Sequence, residues 1–178
     1  VNGLHVYVSE LSVFDASFQR GLTHRHPKHI FSGFFVAVKL LSQFEGKTFV
    51  STEGDTKGFG HQSFFSSLGS DVRPTELEWN DFEELLHVSS SDPLKARSLL
   101  TPDFMAELYD WWEKKHENIR ISFSGQEMCV LFPAWIRINA SPSIANAKNV
   151  EYNLNKMAIP IMHIMRLIQT VPDKLKSK

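Results

Sequence analysis

The chain is 178 residues long, 42% apolar and 22% charged, with a formal net charge of −1. These values suit one folded domain of ordinary size and exclude wholesale disorder or a fibrous repeat. Balanced charge excludes a field that would draw in nucleic acid or an anionic membrane, and the single cysteine, Cys129, excludes an internal disulfide.

The chain opens on Val1-Asn2-Gly3 with no basic and apolar signal segment behind it, the expectation for a piece of a longer protein. From His5 to Val13, Val, Tyr and Leu interleave with polar residues and predict a first, half-buried strand. A polar link with Gly21 and Pro27 follows. Phe34, Val36, Val38 and Leu40 then alternate with Phe35, Ala37 and Lys39 at the strand period of two. Glu45-Gly46 reads as a turn returning into a third strand at Thr48 to Thr52, an antiparallel meander. Residues Glu53 to Pro74 read as a long loop, and a fourth strand is expected at about Phe82 to Ser89.

Asp92-Pro93 and Thr101-Pro102 each put a capping side chain just before a proline, which predicts two helix starts. In the second helix Phe104, Met105, Leu108, Trp111 and Trp112 form one wide apolar stripe, fit to lie on a sheet. Ile119 to Phe123 and Met128 to Phe132, joined by Ser124-Gly125-Gln126-Glu127, read as a hairpin of strands five and six. Leu154, Met157, Ala158, Ile161, Ile164, Met165 and Ile168 keep helical spacing, with a kink expected at Pro160. Residues 173–178 read as a frayed basic tail beyond a single domain of residues 1–172. The predicted fold is α+β: a mainly antiparallel sheet of about six strands, a helix pair inserted before the last hairpin, and a C-terminal helix on one face.

Ile30 to Ala37, Phe44 to Val50, and the run from Phe82-Glu83-Glu84 through Ser91-Asp92, Ala96-Arg97 and Leu100-Thr101-Pro102 stand in the order and spacing of a known pattern. Together with Ile121-Ser122-Phe123 they resemble a bacterial family of domains of unknown function, family 3137, over roughly residues 5–132. After the last strand this chain has Pro133-Ala134-Trp135-Ile136-Arg137-Ile138, where the family usually carries Phe-Glu-Pro. The resemblance implies a membrane-associated bacterial protein, with this chain as its water-facing part at the cytoplasmic face or in the cytoplasm. It carries over no activity, cofactor or catalytic residue.

His24, His26 and His29 cluster in the polar link and are the metal-ligand candidates, although no helical spacing or Cys pair supports them against a solvated loop. Gly54 to His61 follows a strand as phosphate loops do, but matches no nucleotide fingerprint. Cys129, among Met128, Val130 and Leu131, reads as core packing rather than a nucleophile. Ser66, Ser89 and Ser141 lack a nucleophile elbow, and Asn139-Ala140-Ser141 is a formal glycosylation sequon. Arg97 reads as a structural guanidinium tied to Asp92 or Glu84. One ring of Trp111-Trp112 is expected to face outward.

These features predict no catalytic residue and no cofactor. The expected function is a non-enzymatic interaction or regulatory domain with an unknown protein partner, no nucleic acid, and membrane association through segments outside the chain. The alternative is a hydrolase whose site is built from loops at residues 53–74 and 24–29.

Overall fold

The structure, a computed structural model, describes residues 3–15, 28–52, 71–77, 79, 82, 85–116, 118–133 and 147–176. In chain order the elements are β1 (His5–Asp15), β2 (Lys28–Thr52), β3 (Arg73–Pro74), β4 (Leu86–Ser90), α1 (Pro93–Leu99), α2 (Pro102–Lys115), β5 (Arg120–Pro133), α3 (Ala147–Thr170) and α4 (Asp173–Lys176). The fold is α+β, as expected, and among the described residues it is built around one antiparallel five-stranded sheet. Its centre is β2. One edge of β2 is shared by β1 and β4, and the other is covered by β5 along most of its length.

Two expected turns are absent. Glu45-Gly46 does not reverse the chain: β2 runs unbroken through it, so the meander of two strands is a single 25-residue strand. Likewise Ser124-Gly125-Gln126-Glu127 makes no hairpin but lies within the 14 residues of β5. The two sites face each other, because the β2–β5 register slips between Lys39 and Phe44 and again before Lys47, opposite Gly125. Gly46 at φ 96° and Gly125 at φ 59° supply the left-handed backbone these irregularities need. The turn chemistry was real, but it serves paired bulges, which bend and twist strands instead of ending them.

Other boundaries also differ from the sequence reading. The fourth strand starts at Leu86, while Phe82, fully buried, stacks on Trp79 at 5.8 Å before it. Arg73–Pro74, expected as loop, pairs with Ser89 and Ser90 as β3. Asp173–Lys176 is a helical turn that buries Leu175 and sends Lys176 Nζ to the Gln169 carbonyl at 2.7 Å, where a frayed tail was expected.

Both proline-marked helix starts are present. Asp92 is extended at φ −141° and its carboxylate accepts from the Leu94 and Lys95 amides at 3.1 and 3.2 Å. Thr101 accepts from the Phe104 amide at 3.3 Å. Asp92→Ala removes both bonds of its cap, so a cost of about 1 kcal/mol and a fall of roughly 2–4 °C in Tm are expected in a thermal melt.

The core lies between one face of the sheet and the helices. Phe34, Val36 and Val38 of β2 stand beside Phe132, Val130 and Met128 of β5 on that face. The α2 stripe seats on it: Phe104, Leu108 and Trp111 are buried, with Phe104 against Phe123 at 5.9 Å and Trp111 edge-on to Phe132 at 5.6 Å. Helix α3 continues through Pro160, and its inward positions are Pro160, His163, Ile164, Leu167 and Ile168. Ala158 and Ile161, expected in the stripe, face outward; the side chains of Leu154 and Met157 lie outside the described residues.

Candidate functional site

Cross-strand neighbours share a sheet face, so the register sorts the outward residues of β1, β2 and β5 into rows. Tyr7, Ala37 and Cys129 make one row; Ser9, Phe35 and Leu131 the next; Leu11, Gly33 and Pro133 a third; Val13 and Phe31 a fourth. These rows lie opposite the core. Tyr7 is 62% exposed and Phe35 and Leu11 37% each, so an apolar surface spans β1 and β2, with half-buried Cys129 and Leu131 of β5 beside it. At its end His5, Lys39 and Glu127 stand side by side. Among the described residues β1 pairs with β2 alone, so its other edge has no partner among the described strands.

Cys129 lies half-buried in this surface. Burial pushes its thiol above the ordinary value, and the nearby Glu127 carboxylate adds to the rise. It is therefore a protonated, weakly nucleophilic thiol at neutral pH, but it sits on the outer face and not in the core where its apolar neighbours predicted it.

A second grouping lies between α2 and α3. Glu107 and Asp110, one helical turn apart on α2, meet His163 of α3, and one donor atom from each lies within 4.8 Å of the others. His163 is buried, with Nδ1 2.9 Å from a Glu107 carboxylate oxygen and its ring stacked on Trp111 at 5.6 Å and 2°. Lys114 donates to Asp110 at 2.6 Å, and this bond holds the Asp110 carboxyl below its usual range. Arg166 Nη1 stands 4.0 Å from Glu107. The indole nitrogen of Trp111 is buried with no hydrogen-bond partner among the described residues.

The residues singled out in the sequence are placed differently. His24 and His26 lie outside the described residues, as do residues 53–70, with Ser66 and the Gly54 to His61 stretch, and Asn139 to Ser141. His29 is exposed near the start of β2, with Nε2 2.6 Å from Ser32 Oγ and its ring edge-on to Phe14 at 5.4 Å. Ser89 is buried in β4 opposite Phe49. Arg97 is exposed, and its Nε and Nη2 donate to the Glu76 carbonyl at 3.3 and 3.2 Å. The carboxylate expected for it at Asp92 is instead occupied with the helix cap, while Glu84 lies outside the described residues. Of the tryptophan pair, Trp111 is buried against the sheet. Trp112 is half-buried in an aromatic row with Tyr109 at 6.3 Å, itself stacked on Trp79 at 6.1 Å. Among the described residues the exposed aromatic surface is thus on β1 and β2 and not at this tryptophan pair.

Neither grouping was singled out in the sequence. The outer face had left a trace: β2 is apolar in both phases of its alternation, at Phe35 and Ala37 as well as at Phe34 and Val36. His163 sat unremarked inside an apolar helical pattern, and no local signal pairs it with Glu107.

A family model described as "Protein of unknown function (DUF3137)" matches residues 29–171. No curated protein matches the chain. Among solved structures, the crystal structure of the mycobacterial trehalose monomycolate transport factor A, TtfA, is similar at a TM-score of 0.41 and 10% identity. The match covers 82% of this chain and 65% of that one, so the chain spans less than two thirds of its length. No helix among the described residues is long and apolar enough to cross a membrane.

Proposed function

The chain belongs to the DUF3137 family of proteins of unknown function, and from that premise we propose that it is a non-catalytic interaction domain that docks an extended segment of a partner protein along β1 and the outer face of the sheet. The observation that carries this reading is that the outer edge of β1, unpaired among the described residues, coincides with exposed Tyr7, Leu11 and Phe35 beside it. An added strand takes its affinity from main-chain hydrogen bonds along such an edge and its specificity from alternate side chains laid on the face. Contiguous apolar surface of this kind marks contact sites on folded proteins. Lys39 and Glu127 end the face with opposite signs, which suits a peptide better than a uniformly anionic lipid surface. The family resemblance supports placing the domain as the water-facing part of a membrane-associated bacterial protein.

The test is the double variant Tyr7→Ser, Phe35→Ser in the full-length protein. Both side chains are exposed, so its Tm should stay within about 2 °C of the parent. A partner that co-purifies with the parent from its own host should be lost, and the purified parent pair should protect the β1 amides from hydrogen exchange. Retention of every partner by the variant, with β1 amides exchanging freely in the complex, would sink the reading.

A further inference from the structure

We propose that Glu107, Asp110 and His163 form a binding site for a divalent transition cation of the zinc class, bridging α2 and α3. An imidazole with two carboxylates is a donor set for such ions, and three protein ligands leave one position for water. Glu107 and Asp110 share a helix face by their spacing of three, and His163 meets them from the facing helix. Their donor atoms already lie within 4.8 Å of one another. Ligands about 2.0–2.2 Å from a tetrahedral ion need only small side-chain rotations from there. The 2.9 Å contact of His163 Nδ1 with Glu107 holds a proton where the ion would sit.

Trp111 supplies a second, independent observation. Buried indole N–H groups ordinarily find an acceptor, yet this one has none among the described residues, and its ring lies parallel to the imidazole of His163. A water carried on the open position of the ion is an acceptor of the kind it lacks. Lys114 and Arg166 stand where they balance the two carboxylates, and both are more than half exposed, at 53% and 55%. They let the helix pair form without metal, and they compete with it, so binding is reversible and displaces Lys114 from Asp110.

The test titrates the purified full chain, freed of metal, with Zn²⁺ by calorimetry and with Co²⁺ by visible absorption and tryptophan fluorescence. The parent should bind one ion per chain, and at 100 times the dissociation constant Zn²⁺ should raise Tm by roughly 5–10 °C. Replacing His24, His26 and His29 together by serine should leave binding unchanged, whereas His163→Gln should weaken it at least tenfold. Lys114→Ala, an exposed change with little consequence for folding, should tighten binding severalfold. Co²⁺ should quench the tryptophan emission of the parent, and Trp111→Phe should remove most of that quenching. The proposal is overturned by the absence of binding, by binding that survives His163→Gln, by binding that disappears with the three link histidines, or by an affinity indifferent to Lys114→Ala.

Discussion

Gly33→Ala is expected to lower Tm by at least roughly 6 °C, corresponding to a loss of about 3 kcal/mol or more. A Cβ at this position would run into the backbone carbonyl oxygen of Phe132, and would also stand 2.9 Å from Pro133 Cα and 2.6 Å from the ring tip of Phe31. The Phe31 ring can swing aside. The carbonyl cannot, because Phe132 and Pro133 are held in register against Phe34 and Gly33. Relief therefore requires β2 and β5 to separate at the end of their ladder, which unseats Phe34 from Phe132, stacked at 5.6 Å. Thermal and urea melts of the variant measure the effect. A midpoint within 2 °C of the parent would show that the strands can part there at little cost.

Trp111→Ala should cost about 3–5 kcal/mol, the usual range for deleting a large buried aromatic ring. Trp111 is fully buried and touches both layers, edge-on to Phe132 of the sheet and flat on His163 of α3. Its removal opens a cavity where sheet, α2 and α3 meet, and deprives the buried imidazole of its stacking surface. Trp111→Phe separates the two roles of the side chain. It keeps a ring in the gap and deletes the unpartnered N–H, whose burial itself costs roughly 1–3 kcal/mol, so it should fall well short of the alanine variant. Equal losses in the two, read from urea midpoints, would mean that ring size alone matters and that the orphaned N–H carries no penalty.

How far the sequence disclosed the fold follows from which signals are local. The capped starts of α1 and α2 were legible because Asp92, Thr101 and the prolines after them act within four residues. The alternation of Phe34 to Leu40 named a strand and its buried face. It could not say that Gly46 would bulge rather than reverse, because a left-handed glycine serves either geometry and the choice is made by β5, whose Gly125 and Ser124 stand opposite Phe44 and Lys47. The same holds for the two surface groupings. Phe35 looks like a core residue until the structure shows helices on the other face only among the described residues. Glu107 looks like a solvated charge until His163 arrives from α3, 56 positions later. The acceptor that Arg97 has among the described residues was hidden for a related reason: it is a main-chain carbonyl at Glu76, which leaves no trace in side-chain identity.

The long central strand also bears on the order in which the molecule can assemble. Partners across β2 and β5 run from Ser51 with Arg120 to Gly33 with Pro133, some 70 to 100 positions apart. During synthesis from the N-terminus, β1 is made ahead of β2, and β4 follows soon after, yet the opposite flank of β2 has no mate until residues beyond 120 have emerged. Such distant pairing closes large loops before any contact repays the entropy, which slows folding and leaves hydrophobic strand exposed meanwhile. A nascent chain halted short of β5 should therefore be the form of this protein that chaperones hold and that aggregates first.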